Sequence, residues 1–201
     1  MAEIILASQS PRRRELLKNM GFTFSVVVSD ASEDEVSSDV LPEIYVQELA
    51  LLKASATAKK VMDRKDAVII SADTVVVNDG EILGKPCDEA DAVRMIKSLA
   101  GKTHRVYTGF CVMRINDART LCKSVMTEVT FKELSNERIK RYVKSGEYRD
   151  KAGGYGIQGL GAMLVKGISG DYFNVVGLPV SELSDVLEEE FGIIPPSVSR
   201  S

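Results

Sequence analysis

Residues 4–14 read Ile-Ile-Leu-Ala-Ser-Gln-Ser-Pro-Arg-Arg-Arg. The apolar run at 4–7 predicts a buried strand, and Ser10 is a good N-cap for a helix with Pro11 at its first position. Gly21 can close that helix at its carboxyl end. A strand that leads at once into a helix is typical of α/β proteins, so this stretch indicates the fold class.

Three arginines, Arg12, Arg13 and Arg14, fall in the first turn of this helix, where the helix dipole is positive and favours acidic residues. Arg13 points along the middle of the apolar stripe, Arg12 lies at its flank and Arg14 is turned away. An inward guanidinium at a positive helix end needs a negative partner, and a phosphate held by backbone N–H groups and serine hydroxyls is a natural one. The alternative, a basic surface turn balanced by nearby carboxylates, suits Arg14 best.

The bulk composition is that of a soluble globular protein, with 201 residues, 44% hydrophobic and 27% charged. The length is sufficient for one good-sized domain or for two lobes that share a core. A formal net charge of -3 does not suggest general affinity for nucleic acid or for an anionic membrane. Any phosphate recognition is therefore expected to be local.

The sequence shows neither a secretory signal pattern nor an apolar run long enough to cross a bilayer, so we expect a cytoplasmic protein. Cys87, Cys111 and Cys122 are odd in number and widely spaced, which indicates neither a disulfide framework nor a zinc site. The single histidine, His104, cannot build a His-rich metal site alone. We therefore expect a bound metal to be a hard cation with oxygen ligands.

The remaining chain alternates strands and helices and predicts a mixed α/β fold, one domain over 1–201 with a cleft between two lobes and a frayed tail at about 195–201. No repeat or Pro/Ser-rich linker interrupts it. The predicted strands cover 3–8, 22–28, 67–72, 103–115, 120–134 and 162–168, with a hairpin at 74–83. The predicted helices cover 11–20, 42–62, 88–99 and 135–144, and a last helix starts at Pro179.

Asp73 follows the buried strand 67–72. A carboxylate at the mouth of such a strand is partly desolvated and suits a general base or a metal ligand. An aspartate that caps a turn is the alternative. Lys85 can reach the same region when the hairpin folds back, although a solvated lysine is the simpler interpretation.

Glu33 lies in an acidic loop at the end of strand 22–28, which we expect beside strand 3–8. Ligands of α/β folds gather at such strand ends, although most acidic loops are merely solvated. Lys53 lies at the edge of the apolar face of its helix, where a lysine can also snorkel to solvent.

A glycine-rich run extends from Gly153 to Gly161 and contains Gln158. Glycines allow close backbone approach to a ligand or a positive φ angle. The glutamine amide offers both a donor and an acceptor, which match the N3–H and O4 edge of uracil or thymine. Since the amide can flip to suit cytosine, neighbours must fix its orientation.

Taken together, these motifs resemble the Maf family of nucleoside triphosphate pyrophosphatases over nearly the whole chain. The matching motifs, in order, are Ser8-x-Ser10-Pro11-Arg12-Arg13, Ser71-Ala72-Asp73-Thr74, Gly84-Lys85-Pro86, Gly101-x-x-His104, Gly146-Glu147, Asp150-Lys151-Ala152-Gly153-x-Tyr155-x-Ile157-Gln158-Gly159 and Asn174-Val175-Val176-Gly177-Leu178-Pro179. Each motif is weak alone, whereas all of them in order are highly specific.

The resemblance implies a cytoplasmic, usually dimeric enzyme with a fold akin to that of inosine triphosphate pyrophosphatase, in a nucleotide-pool house-cleaning role. It implies hydrolysis of a nucleoside triphosphate to the monophosphate and pyrophosphate with a divalent metal, Mg²⁺ or Mn²⁺. Asp73 would be the proton acceptor, and the phosphate and metal site would be lined by Ser8, Arg13, Glu33, Lys53 and Lys85.

Branches of the family differ at three specificity positions. Arg12, Thr74 and Gln158 are those of the branch that acts on dTTP and UTP. One departure is Ser32, where the family commonly has a second acidic residue before Glu33. The resulting hypothesis places Glu33, and Asp73 itself, on the metal.

Two other functions remain open from the sequence. One is a purine-selective or broad pyrophosphatase. The other is a non-catalytic nucleotide-binding regulator of cell division and septum formation, for which Asp73 and the cationic cluster would be more than the role requires.

Overall fold

The computed structural model describes residues 2–195, which contain seven strands. They are β1 Glu3–Leu6, β2 Phe24–Val26, β3 Ala67–Asn78, β4 Glu81–Leu83, β5 Thr103–Arg114, β6 Thr120–Phe131 and β7 Val165–Ser169. The sheet order is β2-β1-β3-β5-β6-β7, and β4 pairs with β3. The β1–β2 and β1–β3 pairs are parallel, whereas β3–β4 and β6–β7 are antiparallel.

Helices alternate with these strands, which confirms the predicted mixed α/β class. They are α1 Pro11–Asn19, α2 Pro42–Lys60, α3 Glu89–Leu99, α4 Asn136–Lys144, α5 Tyr172–Val176 and α6 Val180–Asp185, and a π-helical turn follows over Val186–Glu190. Within residues 2–195 no helix combines the length and the apolar character needed to cross a bilayer.

The chain divides into two compact units, each assembled from separate segments. Of the described residues, 2–73, 108–125 and 177–195 form the first unit, and 74–107 and 126–176 form the second. The predicted tail at about 195–201 lies, from residue 196 onwards, outside the described residues. A single domain with a cleft remains a prediction.

In the first unit, β1 lies between β2 and β3 and is buried from Ile4 to Leu6. Ser10 caps α1 by accepting a hydrogen bond from the Arg13 N–H group at 3.4 Å, and Pro11 occupies the first turn. Gly21 follows α1 with φ 85°, as its predicted helix-closing role requires.

Helix α2 packs closely on the sheet of the first unit. The buried Ser71 hydroxyl on β3 donates a hydrogen bond to the Ala50 carbonyl at 2.6 Å. Gly109 on β5 lies so close to the α2 backbone that a Cβ atom there would meet the Val46 carbonyl oxygen at 2.3 Å. These contacts fix the helix that carries Lys53. The apolar side chains behind it form one buried cluster: Ile5, Ala7, Ala50, Ala54, Val61, Ala67, Ile69 and Cys111.

The second unit has its own core, in which the only histidine is buried. His104 Nε2 and the Tyr155 hydroxyl are 2.7 Å apart, and the ring of Phe131 packs edge-on against both rings. Phe131 is 1% exposed. Tyr155 belongs to the glycine-rich run, so this aromatic cluster ties that run to the sheet.

Several predicted boundaries are wrong. Strand 67–72 continues without a break to Asn78, so that Asp73 lies inside a strand rather than after one. Ser71 and Asp73 are buried within this strand, where Ser71 is hydrogen-bonded to the Ala50 carbonyl and Asp73 to Lys53. The predicted strand at 162–168 begins only at Val165, because 159–164 form a 3-10 helix. The strand predicted over 22–28 shortens to β2, and the acidic loop contains a 3-10 turn at Glu33–Glu35.

Candidate active site

The carboxyl ends of the parallel strands in the first unit bring several predicted site residues together. Ser8 follows β1, the loop with Glu33 follows β2, and Asp73 lies on β3. Ligand sites of open α/β sheets form at this edge. The structure therefore collects here residues that are up to 65 positions apart, from Ser8 to Asp73.

Lys53 joins the two carboxylates of this edge. Its Nζ donates to Glu33 Oε1 at 2.8 Å and also to Asp73 Oδ1. The side chains of Lys53 and Asp73 are 15% and 12% exposed, whereas that of Glu33 is 52% exposed. The Lys53 ammonium is thus paired with both acids instead of extending alone into solvent.

Arg13 is half-buried and extends from the first turn of α1 into the same unit. Its Nε donates to the Gly177 carbonyl at 2.7 Å, and a terminal nitrogen donates to Ser8 Oγ at 3.4 Å. Ser8 Oγ also accepts from the backbone N–H of Ser10 at 3.2 Å. These contacts fix both the arginine and the serine at the entrance of the helix.

The charges around Arg13 show how close the acidic residues are. Burial lowers the pKa of the Arg13 guanidinium, and the Asp73 carboxylate opposes that effect. The Arg12 charge lowers the same pKa further, while Glu33 raises it. Arg12 is half-buried and Arg14 is exposed, as the helical periodicity predicts.

Tyr45 on α2 is a neighbour that the sequence analysis missed. Burial raises the pKa of its phenol, and the charges of Asp73 and Glu33 add to this effect. The sequence indicated that Tyr45 is near the site through its position on the same helix as Lys53, eight residues earlier. The Gly177 carbonyl was missed as well, although its motif was noted.

Glu33 and Asp73 are the two acids that could hold a divalent cation. Among residues 2–195, no group of three or more His, Cys, Asp or Glu side chains is arranged to bind a metal. Two carboxylates that converge on one cationic atom nevertheless suit Mg²⁺, which binds one or two carboxylates and completes its shell with water and phosphate oxygens. The donor set fits a cation bound together with a nucleotide.

The other three predicted site residues, Thr74, Lys85 and Gln158, belong to the second unit. Thr74 is half-buried on β3, whereas Lys85 and Gln158 are exposed. The Gly153 N–H donates to the Gly84 carbonyl at 2.9 Å, so the segment with Lys85 lies against the start of the glycine-rich run.

The family model described as Maf-like protein matches residues 3–190. A dTTP/UTP pyrophosphatase from Caldanaerobacter subterraneus subsp. tengcongensis is 48% identical over 191 residues, or 95% of this chain and 90% of that protein. One from Clostridium beijerinckii is 49% identical over 93% of this chain and 98% of that protein. A solved nucleoside-triphosphatase (dITP/XTP pyrophosphatase) from Mycobacterium abscessus is similar with TM-score 0.41 and 12% identity, covering 94% of both chains.

Proposed function

This chain belongs to the Maf-like protein family, and we propose that it is a nucleoside triphosphate pyrophosphatase that hydrolyses dTTP and UTP. The relatives named dTTP/UTP pyrophosphatase support this substrate pair. The observation that carries the reaction class is the convergence of Lys53, Glu33 and Asp73. Arg13 is close enough for the charges of both acids to raise the pKa of its guanidinium. Cations beside acids in one partly buried site suit phosphoanhydride hydrolysis.

In the proposed reaction, a water oxygen attacks the α-phosphorus and the bond from that phosphorus to the α–β bridging oxygen breaks. The products are the nucleoside monophosphate and pyrophosphate. Asp73 takes the proton from the attacking water. Lys53, hydrogen-bonded to Asp73, can exchange this carboxylate for a phosphate oxygen when substrate binds.

The remaining cationic groups stabilise the charge of the triphosphate and of the departing pyrophosphate. Arg13, held by Ser8 and Gly177, presents a fixed guanidinium, and Lys85 adds an exposed ammonium. Mg²⁺ or Mn²⁺, when bound by Glu33 and Asp73, supplies further charge neutralisation at the phosphate oxygens.

Arg12, Thr74 and Gln158 are proposed to select the pyrimidine substrate. The amide of Gln158 pairs with the N3–H and O4 edge of uracil or thymine. A cytoplasmic homodimer is part of the same proposal, and light scattering after size-exclusion chromatography tests the dimer.

The decisive experiment is product analysis with a panel of triphosphates in the presence of Mg²⁺ or Mn²⁺. We expect monophosphate plus pyrophosphate from dTTP and UTP. Diphosphate plus orthophosphate would contradict the reaction, and preferred turnover of GTP, ITP or XTP would contradict the substrate. Tight UTP binding without turnover would instead indicate a nucleotide-binding regulator.

Asp73→Asn tests the proposed base. Loss of the proton acceptor should lower kcat by ~10²-fold or more. Asp63→Asn, at an exposed position after α2, is the matched control and should keep full activity. Normal turnover by a folded Asp73→Asn protein would contradict the assignment.

A further inference from the structure

Glu147, which follows α4, binds the backbone of the glycine-rich run through both carboxylate oxygens. Oε2 accepts from the Leu160 N–H at 2.9 Å, and Oε1 accepts from the Gly161 N–H at 2.9 Å. These successive N–H groups lie in the first turn of the 3-10 helix Gly159–Leu164. Glu147 therefore acts as an N-cap supplied from a different segment of the chain.

Gln158 occupies the N-cap position of this 3-10 helix, where a side chain usually caps the helix. Gln158 precedes the 3-10 helix and makes no capping hydrogen bond with its side chain. Helix N-termini need such acceptors for their unpaired N–H groups. Because Glu147 provides them, the amide of Gln158 is not required as the cap, and the Gln158 side chain is exposed.

The glycines of the run make room for this carboxylate. Gly159 has φ 62°, and a Cβ atom there would lie 2.7 Å from Glu147 Oε2. At Gly161, a Cβ atom would lie 2.0 Å from the Gly156 carbonyl oxygen. The run is thus folded tightly onto itself and onto Glu147, and its glycines are required by contacts rather than by flexibility.

Glu147 is itself held by its neighbours. Gly146 has φ 75° and ends α4, and the Glu147 N–H donates to Ser145 Oγ at 3.3 Å. Lys151 Nζ donates to the Glu147 carbonyl oxygen and to Asp150 Oδ1, the latter at 2.7 Å. The backbone N–H and carbonyl groups of Glu147 are therefore both hydrogen-bonded, in addition to the contacts that its carboxylate makes with the run.

We propose that Glu147 is a positioning residue for pyrimidine selectivity, acting by holding the backbone next to Gln158 in one conformation. This inference rests on the proposed function, in which the Gln158 amide reads the base. A fixed backbone keeps the Gln158 amide within reach of the N3–H and O4 edge of the base. Without the cap, the run loses two charge-assisted hydrogen bonds, and the amide no longer meets that edge at a constant position.

The test compares UTP with CTP in the wild type, Glu147→Ala, Gln158→Ala and the double variant. Glu147→Ala should lower the UTP/CTP ratio of kcat/KM by about tenfold, chiefly through KM for UTP. The double variant should be no less selective than Gln158→Ala alone, because both changes remove the same discrimination. Glu147→Gln keeps one acceptor oxygen and should recover part of the ratio.

Glu137→Gln, an exposed change on α4, is the matched control and should leave the ratio unchanged. Hydrogen exchange supplies a readout that needs no turnover: the amides of 159–164 should exchange faster in Glu147→Ala than in the control. An unchanged ratio, equal loss for both triphosphates or unchanged exchange would each overturn the inference.

The wild type and Glu147→Ala together distinguish failure of the proposed function from failure of the role of Glu147. A wild type that releases no pyrophosphate from UTP would contradict the proposed function and, with it, a role of Glu147 in selectivity. A wild type that prefers UTP over CTP, together with a Glu147→Ala variant of the same preference, would overturn only the inference on Glu147.

Discussion

The Lys53 ammonium donates a hydrogen bond to Asp73, a carboxylate that lies within β3 rather than at its end. Both side chains are largely shielded from solvent, and Glu33 accepts from the same nitrogen at 2.8 Å. One positive charge thus occupies the point where two acids converge. A metal ion that binds these acids must compete with that charge.

Lys53→Ala should therefore have opposite effects on metal binding and on turnover. Removal of the ammonium leaves Glu33 and Asp73 to a divalent cation, so Mn²⁺ should bind more tightly without nucleotide. The kcat should fall ~10²-fold because a phosphate-neutralising charge is lost. Electron paramagnetic resonance of Mn²⁺ and steady-state kinetics measure the two effects. Lys59→Ala, at an exposed position on α2, is the control, and weaker Mn²⁺ binding in Lys53→Ala would contradict the competition.

Arg13→Lys should be far from conservative. The Nε of Arg13 donates to the Gly177 carbonyl at 2.7 Å while another nitrogen of the same fork reaches Ser8. A lysine has one ammonium and cannot reproduce this fork. We expect a loss of about 1–3 kcal/mol in the free energy of unfolding and a marked loss of kcat. Urea denaturation and pyrophosphate release measure these losses. Arg14→Lys, on the exposed side of α1, should change neither.

The start of the chain could be predicted from sequence because its signals are local. Ser10, Pro11 and Gly21 mark the ends of α1, and apolar runs mark β1 and the beginning of β3. Local rules also singled out Arg13, because a cation at a positive helix end conflicts with them. The roles predicted for the site residues remain proposals.

Three missed features depend on contacts between distant segments. The strand β3 continues through Asp73 because Lys53, twenty positions earlier, offers that carboxylate a partner. The 3-10 helix at 159–164, whose last three residues were predicted as the start of a strand, is capped by Glu147. Cys111 and Cys122 are also neighbours on β5 and β6, since a thiol–thiol hydrogen bond raises the pKa of Cys111. The spacing of these residues in the sequence does not indicate which of them pair.

Gly109→Ala should disturb the helix that carries Lys53. A Cβ atom at position 109 would lie 2.3 Å from the Val46 carbonyl oxygen and 2.7 Å from the Gln47 nitrogen. Because these are backbone atoms, α2 itself must shift. We expect destabilisation of about 3 kcal/mol in urea denaturation, together with reduced turnover.

Gly167→Ala on β7 is the matched control for that substitution. Among the described residues, a Cβ atom at this position would meet no heavy atom within 4 Å apart from those of its chain neighbours, so the change in unfolding free energy should stay within about 0.5 kcal/mol. Equal stability of the two variants would show that α2 does not depend on the close approach at Gly109.

His104 should make the protein less stable as the pH falls from 6.5 towards 4. Burial lowers the pKa of His104 from 6.5 to about 4, so between these values the unfolded chain binds a proton that the folded chain excludes. Stability therefore increases with pH across this window, and its loss at pH 4 relative to pH 7 should reach about 3 kcal/mol. Because the chain has one histidine, urea denaturation of His104→Gln over the same pH range isolates this contribution. Glutamine keeps a polar partner for the Tyr155 hydroxyl and does not titrate, so the variant should lose most of the slope, whereas an equal slope in both proteins would assign the effect to other groups.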